Sequence, residues 1–532
     1  MKKNLARLYS GELDGVGARI IEVEADINVG LHAFNIVGLA DKSLNEAKER
    51  VNSALKNSGV KPPNRENRKI TINLAPADVK KNGSHYDLAI ALGYLLATKQ
   101  IKDFGTRDKI FLGELALDGR LRPVNGALNI AERAARAGFA YIFLPKQNAG
   151  EAAVIKKICV VPVETFDEVV GILEGRIPLR REPFLEHRIT TEINGVTNIP
   201  DFSEICGQEN AKRALMIAAA GQHNALLIGP PGVGKSFLAH AMAGIMPALT
   251  MEEAIDVTKI WSAAGLCSNG LVRERPFRAP HQTISPVALI GGGQEPRPGE
   301  ISLAHRGILF LDELPEFARS TLEALRQPLE LGMVHVARAK GSVTFPARFI
   351  FIAAMNPCPC GYYGTASYDA TPHDKPSRGD ASKECKCSAY EIIKYQRRIS
   401  GPLLDRIDLQ IKVGRVDVGK WQEGQEQKPI NNEIREKIAA AIARQRERFL
   451  KEGRQTIFKT NAEMSSRETQ QAVRLDKDAR SFLDAIEKNH LSPRGYYRLL
   501  KVARTIADLE GKAAVSSEHL AEAFSYRLKE MW

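Results

Sequence analysis

One glycine-rich segment limits the possible folds of this chain more than any other feature. Its eight residues match the pattern G-x-x-x-x-G-K-[ST] in full; they are Gly229, Pro230, Pro231, Gly232, Val233, Gly234, Lys235 and Ser236. An apolar run over residues 225–228 precedes the segment, and a helical pattern over residues 237–245 follows it. This order of strand, loop and helix is the context that a phosphate-binding loop requires, and it disfavours an ordinary glycine-rich turn. The segment therefore predicts a nucleotide site within an α/β domain.

The chemistry expected of this segment follows from its residue types. Glycines allow backbone N–H groups to approach phosphates, and the N-terminus of the following helix adds the positive end of its dipole. Lys235 is expected to reach the β- and γ-phosphates of ATP, and the hydroxyl of Ser236 is expected to bind Mg²⁺. ATP and Mg²⁺ are therefore the expected cofactors.

Two carboxylates come directly after the predicted strand over residues 307–311. Ligands bind at the carboxyl ends of strands in open α/β sheets, so we expect Asp312 to hold Mg²⁺ and Glu313 to orient and polarise the attacking water. Helix-capping acids are the alternative for such a pair. The next predicted strand, residues 349–354, leads to Asn356, which is placed to contact the γ-phosphate or the lytic water. The alternative for Asn356 is a turn before proline.

The alternation of patterns divides the 532 residues into regions. At about 150 residues per domain, this length suggests roughly three or four domains. Residues 1–180 alternate short apolar strands with amphipathic helices, and a polar segment follows, so residues 181–200 are the predicted linker. Residues 201–415 carry the apolar strands of a parallel sheet buried on both faces, and helical patterns fill residues 416–532. The first region contains predicted strands at residues 19–23 and 70–74 and predicted helices at residues 40–55 and 86–97.

Composition excludes several classes of protein. Hydrophobic residues make up 44% of the chain and charged residues 26%, which is typical of globular rather than disordered proteins. The longest apolar stretch, residues 88–97, is too short to span a bilayer, and the N-terminus lacks the apolar core of a secretory signal. We therefore expect a cytoplasmic protein without a membrane partner. The net charge of +12 points mildly to polyanion partners such as nucleic acid.

Four of the seven cysteines form two closely spaced pairs, Cys358 with Cys360 and Cys385 with Cys387. Four thiolates suit tetrahedral Zn²⁺, although the C-x-C spacing is tighter than the usual C-x₂-C. In a cytosolic protein, two such pairs around a polar loop favour a metal over disulfides, and free thiols are the alternative. Structural Zn²⁺ is therefore a third expected cofactor.

The segment from Gly207 to Asp408 resembles the magnesium-chelatase-like and MCM-like branch of the AAA+ ATPases. The motifs that carry this resemblance are GPPGVGKS, GILFLDELPEF, FIAAMNP and ISGPLLDRIDL, in that order. The resemblance implies that Asn356 is sensor 1, that Arg406 is an arginine finger acting in a neighbour's site, and that Arg494 is sensor 2. It also implies assembly into a ring, usually a hexamer. From the residues alone, Arg406 would instead form a salt bridge to Asp405 or Asp408, and Arg494 would be a solvated helix charge.

Residues 333–345 alternate apolar and polar positions around a turn, which predicts a β-hairpin. In ring translocases of the resembling branch, such a hairpin points into the pore. Arg338 and Lys340 lie near its tip, where cations would hold DNA phosphates without reading the sequence. A hairpin tip that is charged only for solubility is the alternative.

The N-terminal region resembles the proteolytic domain of Lon, a ribosomal S5 domain 2-like fold. The matching segments are KKNGSHYDLAIALGYLLA and FLGELALDGRLRPVNGALNIAERAARAGFAYIFLPKQN. Where that family has its nucleophilic serine this chain has His85, one residue after Ser84, and where the family has its lysine this chain has Leu128. Because a serine nucleophile needs an adjacent base, we predict that the fold is retained and peptidase activity is lost.

The helical tail, with RLLKVARTIADLEG, resembles the C-terminal lid of magnesium chelatase. This order of an inactive Lon-like domain, a chelatase-like AAA+ core with a four-cysteine insert, and a chelatase-type lid is similar to the YifB/ComM family over nearly the whole chain. The resemblance implies a hexameric, ATP-driven helicase that promotes branch migration and heteroduplex extension during natural transformation. The expected partners are single-stranded and branched duplex DNA and, further, recombination proteins. A magnesium-chelatase-type subunit acting on a metallocofactor enzyme and an ATP-dependent protease or unfoldase are the alternatives.

Overall fold

The computed structural model describes most of the chain, in stretches separated by gaps. These are residues 5–31, 33–38, 42–63, 68–77, 81, 83–183, 199–267, 270–293, 296–338, 341–364, 384–415, 428–451, 460–487 and 492–527. Lys340, most of the predicted linker and most of the polar loop between the cysteine pairs lie outside the described residues.

A four-stranded sheet forms the first half of the N-terminal region, which comprises residues 5–183. In spatial order its strands are β1 (Leu5–Asp14), β2 (Gly17–Val29), β4 (Arg68–Ala75) and β3 (Ala33–Val37). The pair of β3 and β4 is parallel, and the other two pairs are antiparallel. Buried residues alternate along β2 from Ile21 to Ile27, so one face of the sheet packs on a core. The helices α1 (Lys42–Asn57) and α2 (Asp87–Ala97) share that core.

The second half of the N-terminal region contains three parallel strands, a short hairpin and three helices. The parallel strands are β5 (Lys109–Phe111), β8 (Tyr141–Pro145) and β9 (Cys159–Val163), and the hairpin is β6 (Glu114–Leu115) with β7 (Leu121–Arg122). The helices are α3 (Ala127–Arg136), α4 (Lys146–Ala152) and α5 (Phe166–Leu173). The buried side of α3 includes Asn129 and also Leu128, the predicted replacement of the Lon lysine.

A five-stranded parallel sheet forms the core of the central region, which comprises residues 199–415. In spatial order its strands are β11 (Phe277–Arg278), β14 (Ile308–Leu311), β17 (Ile350–Met355), β10 (Ala225–Ile228) and β18 (Leu409–Lys412). Every residue of β10, β14 and β17 is buried, which confirms the predicted sheet covered on both faces. The first strand in the chain, β10, lies between the last two, β17 and β18. Such a break in strand order is where α/β sheets bind ligands.

Helices and small hairpins surround this sheet. The helices are α6 (Glu209–Gly221), α7 (Lys235–Ile245), α8 (Met251–Ala264), α9 (Pro286–Ile290), α10 (Glu300–Leu303), α11 (Arg319–Ala324), α12 (Arg326–Leu331), α13 (Ala389–Gln396) and α14 (Gly401–Leu404). The hairpins are β12 (Gly291–Gly292) with β13 (Arg297–Pro298), and β15 (Met333–Arg338) with β16 (Gly341–Pro346). The second hairpin was predicted, and its apolar side, with Val334 and Phe345, packs on the face of the sheet opposite α6 and α7.

Five helices complete the described chain. They are α15 (Asn431–Lys451), α16 (Ser466–Ala472), α17 (Lys477–Glu487), α18 (Pro493–Leu509) and α19 (Ser517–Ser525). Four of them, α15, α17, α18 and α19, share one apolar core with α6, α7 and one face of the parallel sheet, whereas Ala472 of α16 lies in a small separate cluster with Phe449 and Met464. Polar contacts reinforce this packing, because Arg498 of α18 lies 3.5 Å from Asp408 and Arg213 of α6 lies 2.8 Å from Glu522 of α19. None of the helices in the described part of the chain is both long and apolar enough to cross a membrane.

The N-terminal region is joined to the central region by packing of α3 against α8. Leu128 lies in one apolar cluster with Val257 and Trp261 of α8. The side-chain amide of Asn129 donates to the backbone carbonyl of Lys259 at 3.2 Å, and the Lys259 ammonium lies 2.8 Å from Glu132. Apolar burial, a buried amide and an ion pair therefore hold the two regions together at this contact.

Candidate functional site

The phosphate-binding loop connects β10 to α7 as predicted. Gly232 and Gly234 have φ of +80° and +86°, a conformation that side chains other than glycine rarely adopt. A Cβ atom added at either glycine would meet nothing within 4 Å, so both face open space. The loop is therefore shaped as a cradle with free volume in front of its backbone, which suits a phosphate chain.

Lys235 is held at the centre of this cradle. Its ammonium donates to the carbonyl oxygens of Gly229 at 2.8 Å and Pro230 at 2.7 Å and to the Oδ1 atom of Asn356 at 2.9 Å. These three acceptors match the three N–H bonds of the ammonium. Burial lowers the pKa of Lys235 to about 8, against the opposing charges of Asp312 and Glu313.

Ser236 and Asp312 meet where the prediction put Mg²⁺. The Ser236 hydroxyl donates to Oδ2 of Asp312, whose Oδ1 accepts the backbone N–H of Glu313 at 2.9 Å. A hydroxyl and a carboxylate next to a phosphate cradle are oxygen ligands of the kind that Mg²⁺ prefers. The donor set present in this structure thus fits the ion.

Glu313 is exposed and has φ of +51°, in the left-handed region. A non-glycine residue costs free energy in this conformation, and such strain is found most often at functional sites. Glu313 precedes the short 3₁₀ helix Leu314–Glu316 without a side-chain capping bond, so the helix-cap alternative is wrong for this residue. Its carboxylate follows Asp312 at the same edge of the sheet.

The strand register explains why these residues meet. In the parallel pair of β10 and β17, Ile228 lies opposite Met355, so the first residue of the phosphate loop and Asn356 emerge level with each other. In the pair of β14 and β17, Leu311 lies opposite Ala353, which brings Asp312 to the same edge. Three strand ends therefore bring together Lys235, Ser236, Asp312 and Asn356.

Arg406 and Arg494 meet elsewhere, on the carboxylate of Glu330. Arg406 donates to Glu330 and to the carbonyl of Pro402, and Arg494 donates to the other oxygen of Glu330 at 2.6 Å. The Arg406 bond in particular holds the pKa of Glu330 below its usual value. The predicted salt bridge of Arg406 to Asp405 or Asp408 was therefore wrong.

The reason for that error lies in the neighbours of Asp408. This carboxylate lies 3.4 Å from His223 and 3.5 Å from Arg498, so it is already engaged. Glu330 was missed because it lies 76 residues from Arg406 and 164 residues from Arg494 in sequence, and no local pattern connects them. Side-chain exposure differs between the two arginines, at 11% for Arg406 and 55% for Arg494.

The four paired cysteines come together as one cluster. Their Sγ atoms all lie within 4.8 Å of one another, with Cys358 at 3.3 Å from Cys360 and 3.7 Å from Cys385, and Cys360 at 3.6 Å from Cys385. Tetrahedral Zn–S bonds of about 2.3 Å require sulfur atoms about 3.8 Å apart. The geometry therefore fits a four-coordinate metal, and the remaining cysteines at 159, 206 and 267 are not part of the cluster.

Sequence comparisons place the chain in a family. Three family profiles match it: "Magnesium chelatase, subunit ChlI" over residues 201–421, "Subunit ChlI of Mg-chelatase" over residues 23–148, and "Magnesium chelatase, subunit ChlI C-terminal" over residues 430–527. Competence protein ComM of Haemophilus influenzae is 42% identical over 98% of this chain and 97% of its own length. The chain belongs to the YifB/ComM family of magnesium-chelatase-like AAA+ proteins. The YifB protein of Salmonella typhimurium is 40% identical over the same shares of the two chains, 98% and 97%.

The similarity of this family member to Lon is partial. Lon protease of Chloroflexus aurantiacus is 30% identical over 168 residues, which are 30% of this chain and 20% of that protein. In the segment of the predicted serine loop, the Ser84 hydroxyl donates to Glu114, and the His85 ring lies 3.7 Å from Glu12. Leu128, the predicted replacement of the lysine, is 0% exposed and lies in the apolar cluster with α8.

The hairpin of β15 and β16 carries the residues that were predicted to contact DNA. Its strands pair from Met333 with Pro346 to Arg338 with Gly341, which puts the backbone of Arg338 at the end of the hairpin. Lys340 lies outside the described residues, so its predicted DNA contact stays a prediction, as does that of Arg338.

Proposed function

We propose that the protein is an ATP-hydrolysing ring motor that moves on DNA and extends heteroduplex in homologous recombination. The observation that carries this proposal is the convergence of Lys235, Ser236, Asp312 and Asn356 at three strand ends around an open cradle. AAA+ membership supports the ATPase step. The name of the competence protein relative supports a role in natural transformation.

In the proposed mechanism, Lys235 exchanges its bonds to the carbonyls of Gly229 and Pro230 for the β- and γ-phosphates. Ser236 and Asp312 would hold Mg²⁺, which would offset negative charge on the phosphate oxygens. Glu313 accepts a proton from the water that attacks the γ-phosphorus, and the bond between that phosphorus and the ADP oxygen breaks. Asn356, which accepts a hydrogen bond from Lys235, contacts the γ-phosphate or the attacking water in this mechanism.

The pairing of both arginines with Glu330 supports the ring. Within the described residues, Arg406 and Arg494 make no hydrogen bond or ion pair with the phosphate loop of their own chain. We infer that Arg406 completes the site of a neighbouring subunit as the finger, in a homo-hexamer in which Arg494 serves as sensor 2. The finger stabilises charge on the transferred phosphoryl group.

DNA is the polymer on which the proposed motor moves. The net charge of +12 and a hairpin that ends near Arg338 and Lys340 favour contact with phosphates, either of single strands or of branched duplexes. Recombination proteins are further proposed partners, and the cytoplasm is the proposed location.

The proposed organisation has an inactive Lon-like domain at residues 1–180, a linker at 181–200, the AAA+ core at 201–415 and a helical lid at 416–532. The apolar core that α15, α17, α18 and α19 share with the central sheet supports a helical lid that packs on the AAA+ core. Zn²⁺ is the proposed metal of the cysteine cluster, because four thiolates with this spacing suit it.

A magnesium-chelatase-type subunit is the second candidate, since all three matching profiles describe such a subunit. The same ATPase would then act on a metallocofactor enzyme. Stimulation of ATP turnover by DNA, and not by a porphyrin-binding partner, separates the two candidates. The burial of Leu128 disfavours an ATP-dependent protease, which casein degradation would test.

The decisive experiment is ATP-dependent branch migration on a fluorescent synthetic four-way DNA junction. We expect the wild-type protein to resolve the junction and Glu313→Gln to bind ATP without resolving it. An intact ATPase that is indifferent to DNA and leaves the junction unresolved would contradict the DNA motor.

A further inference from the structure

The cysteine cluster lies directly beside the nucleotide site. Asn356, which accepts a hydrogen bond from Lys235, is followed by Pro357 and then by the first cysteine, Cys358. The short turn that carries this cysteine, residues 357–361, therefore continues from the end of β17 without an intervening element. Only Pro357 separates Asn356 from Cys358, so the position of the cluster constrains the backbone next to Asn356.

The same turn also packs against the phosphate loop. Gly361 has φ of +87°, and a Cβ atom added there would lie 2.5 Å from Cδ of Pro231. Such a distance is far below van der Waals contact, so only glycine allows the two loops to approach this closely. The turn thus meets the nucleotide site at two places: it is covalently joined to Asn356, and Gly361 packs on Pro231.

The second cysteine pair connects this turn to another part of the central region. Cys385 and Cys387 precede α13, which is capped by Ser388 and ends at Gln396. The side-chain amide of Gln396 returns to the turn and donates to the carbonyl of Pro357 at 3.1 Å. A metal held by all four sulfurs would cross-link the turn to the start of α13, while Gln396 fixes it from the end of the helix.

Backbone hydrogen bonds fix the position of Cys358 in the turn. The backbone N–H of Tyr363 donates to Sγ of Cys358 at 3.3 Å, and the backbone N–H of Gly361 donates to the carbonyl of Cys358 at 3.0 Å. A backbone donor to a ligand sulfur is the kind of outer contact that orients a metal-bound thiolate. The turn therefore holds the sulfur of Cys358 in a defined place.

We infer that a divalent metal held by Cys358, Cys360, Cys385 and Cys387 positions Asn356 and Pro231, so that metal binding and nucleotide binding are energetically coupled. This inference rests on the proposed ATP site. Because linkage is reciprocal, a bound nucleotide must hold the metal more tightly by the same factor by which the metal tightens the nucleotide. Cys358, Cys360, Cys385 and Cys387 are positioning residues in this account, and none of them contacts the reacting atoms.

The test uses the full-length protein purified with zinc, whose metal content is first measured by mass spectrometry. A colorimetric chelator then removes zinc in the presence and absence of a non-hydrolysable ATP analogue, and the fluorescence of a labelled ATP reports the nucleotide Kd before and after removal. We expect the analogue to slow zinc loss and zinc removal to weaken nucleotide binding, both about fivefold or more. Equal zinc loss with and without analogue, from protein that binds the analogue, would overturn the coupling.

Two variants separate coupling from folding. Gly361→Ala keeps all four thiols but pushes against Pro231, so we expect it to retain zinc and to bind nucleotide more weakly. Asn356→Ala should retain zinc and lose the effect of the analogue on zinc release. Normal nucleotide affinity in Gly361→Ala, or an undiminished effect in Asn356→Ala, would contradict the proposed contacts.

A matched cysteine control and a cobalt spectrum complete the experiment. Cys387→Ser should bind less metal and less nucleotide, whereas Cys159→Ser, outside the cluster, should change neither. With Co²⁺ in place of zinc, the thiolate absorption bands should shift when the ATP analogue binds. Purified protein that takes up neither metal would refute the metal site itself, and failure to bind the analogue in the zinc-loaded wild type would refute the ATP site instead.

Discussion

The nucleotide site and the Ser84 segment of the N-terminal region both gather polar side chains, yet they differ in what those side chains face. In the nucleotide site, Lys235 and Ser236 border a cradle where added atoms at Gly232 and Gly234 would meet nothing. In the N-terminal region, the Ser84 hydroxyl donates a hydrogen bond to Glu114. Leu128, which corresponds to the lysine of Lon in the predicted alignment, lies in the core shared with α8.

This difference teaches that polar side chains alone do not make a site. A site needs convergent groups and also free space for a substrate. The buried side chain of Leu128 instead packs against α8 of the central region. The N-terminal region therefore contributes contact surface, while the central region keeps space for a ligand.

The largest effect is expected from removing the proposed arginine finger. Arg406→Ala should lower kcat for ATP hydrolysis about 1000-fold, because the finger stabilises charge that develops on the phosphoryl group. ATP binding should be nearly unchanged, since Arg406 makes no contact with its own phosphate loop in the described residues. Steady-state ATPase assays and labelled-ATP titrations measure both quantities.

Mixed rings supply the control for that variant. Arg406→Ala subunits keep an intact phosphate loop, and Lys235→Ala subunits keep an intact Arg406, so mixing the two should restore part of the turnover. If every mixing ratio stays as inactive as either variant alone, Arg406 does not act across a subunit interface.

Lys235→Ala should lower ATP turnover by about 100-fold or more and also weaken ATP binding. The substitution removes the ammonium that the carbonyls of Gly229 and Pro230 and the amide of Asn356 hold in the cradle. Lys394→Ala, which removes an exposed lysine of α13, is the matched control and should behave as wild type. Near-normal ATP affinity in Lys235→Ala would show that the cradle does not hold the phosphates.

The groups around the phosphate loop are also the ones that the sequence predicts well. The phosphate loop, Asp312 and Asn356 were identified because each directly follows an apolar strand, and parallel strands end at a common edge. Local order along the chain was therefore enough. The predicted helix over residues 40–55 and the strand over residues 70–74 were confirmed with shifted ends, as α1 (Lys42–Asn57) and β4 (Arg68–Ala75).

Contacts between distant segments could not be predicted in the same way. The bonds of Arg406 and Arg494 to Glu330, the approach of Gly361 to Pro231 and the packing of Leu128 on Trp261 all join residues without a shared local pattern. Each depends on how elements pack after they have formed, and one chain carries no local signal of that packing.

The contact between the two regions should depend strongly on Leu128. Leu128→Ala removes a fully buried side chain from the cluster with Val257 and Trp261, and should lower the free energy of unfolding by about 2 to 4 kcal/mol. Leu128→Met, which keeps the volume, should lower it by less than about 1.5 kcal/mol. Chemical denaturation followed by Trp fluorescence measures both, and equal, small losses would show that this contact is not a packed core.

ATP affinity should fall as the pH rises through the pKa of Lys235. Burial lowers that pKa to about 8 in the free protein, whereas bound phosphates favour the charged ammonium and raise it. Above pH 8 the lysine must therefore take up a proton when ATP binds, so Kd should increase at most tenfold per pH unit. Titration calorimetry between pH 7.5 and 9.5, in two buffers of different ionisation enthalpy, measures Kd and the proton uptake together. A Kd that is constant over this range, without proton uptake, would contradict the perturbed pKa.

The smallest effect is expected in the Ser84 segment of the N-terminal region. Ser84→Ala removes the hydroxyl that donates to Glu114 but leaves that carboxylate with Arg122, which lies 3.2 Å away. Stability should change by no more than about 1 kcal/mol, since a single partly exposed hydrogen bond contributes little, and ATP turnover and junction resolution should stay at the wild-type level. Loss of a serine nucleophile would abolish a peptidase entirely. A casein-degrading activity in the wild type that disappears in Ser84→Ala would therefore restore a catalytic role to this region, whereas matched behaviour of the two proteins in all three assays leaves it as packing surface.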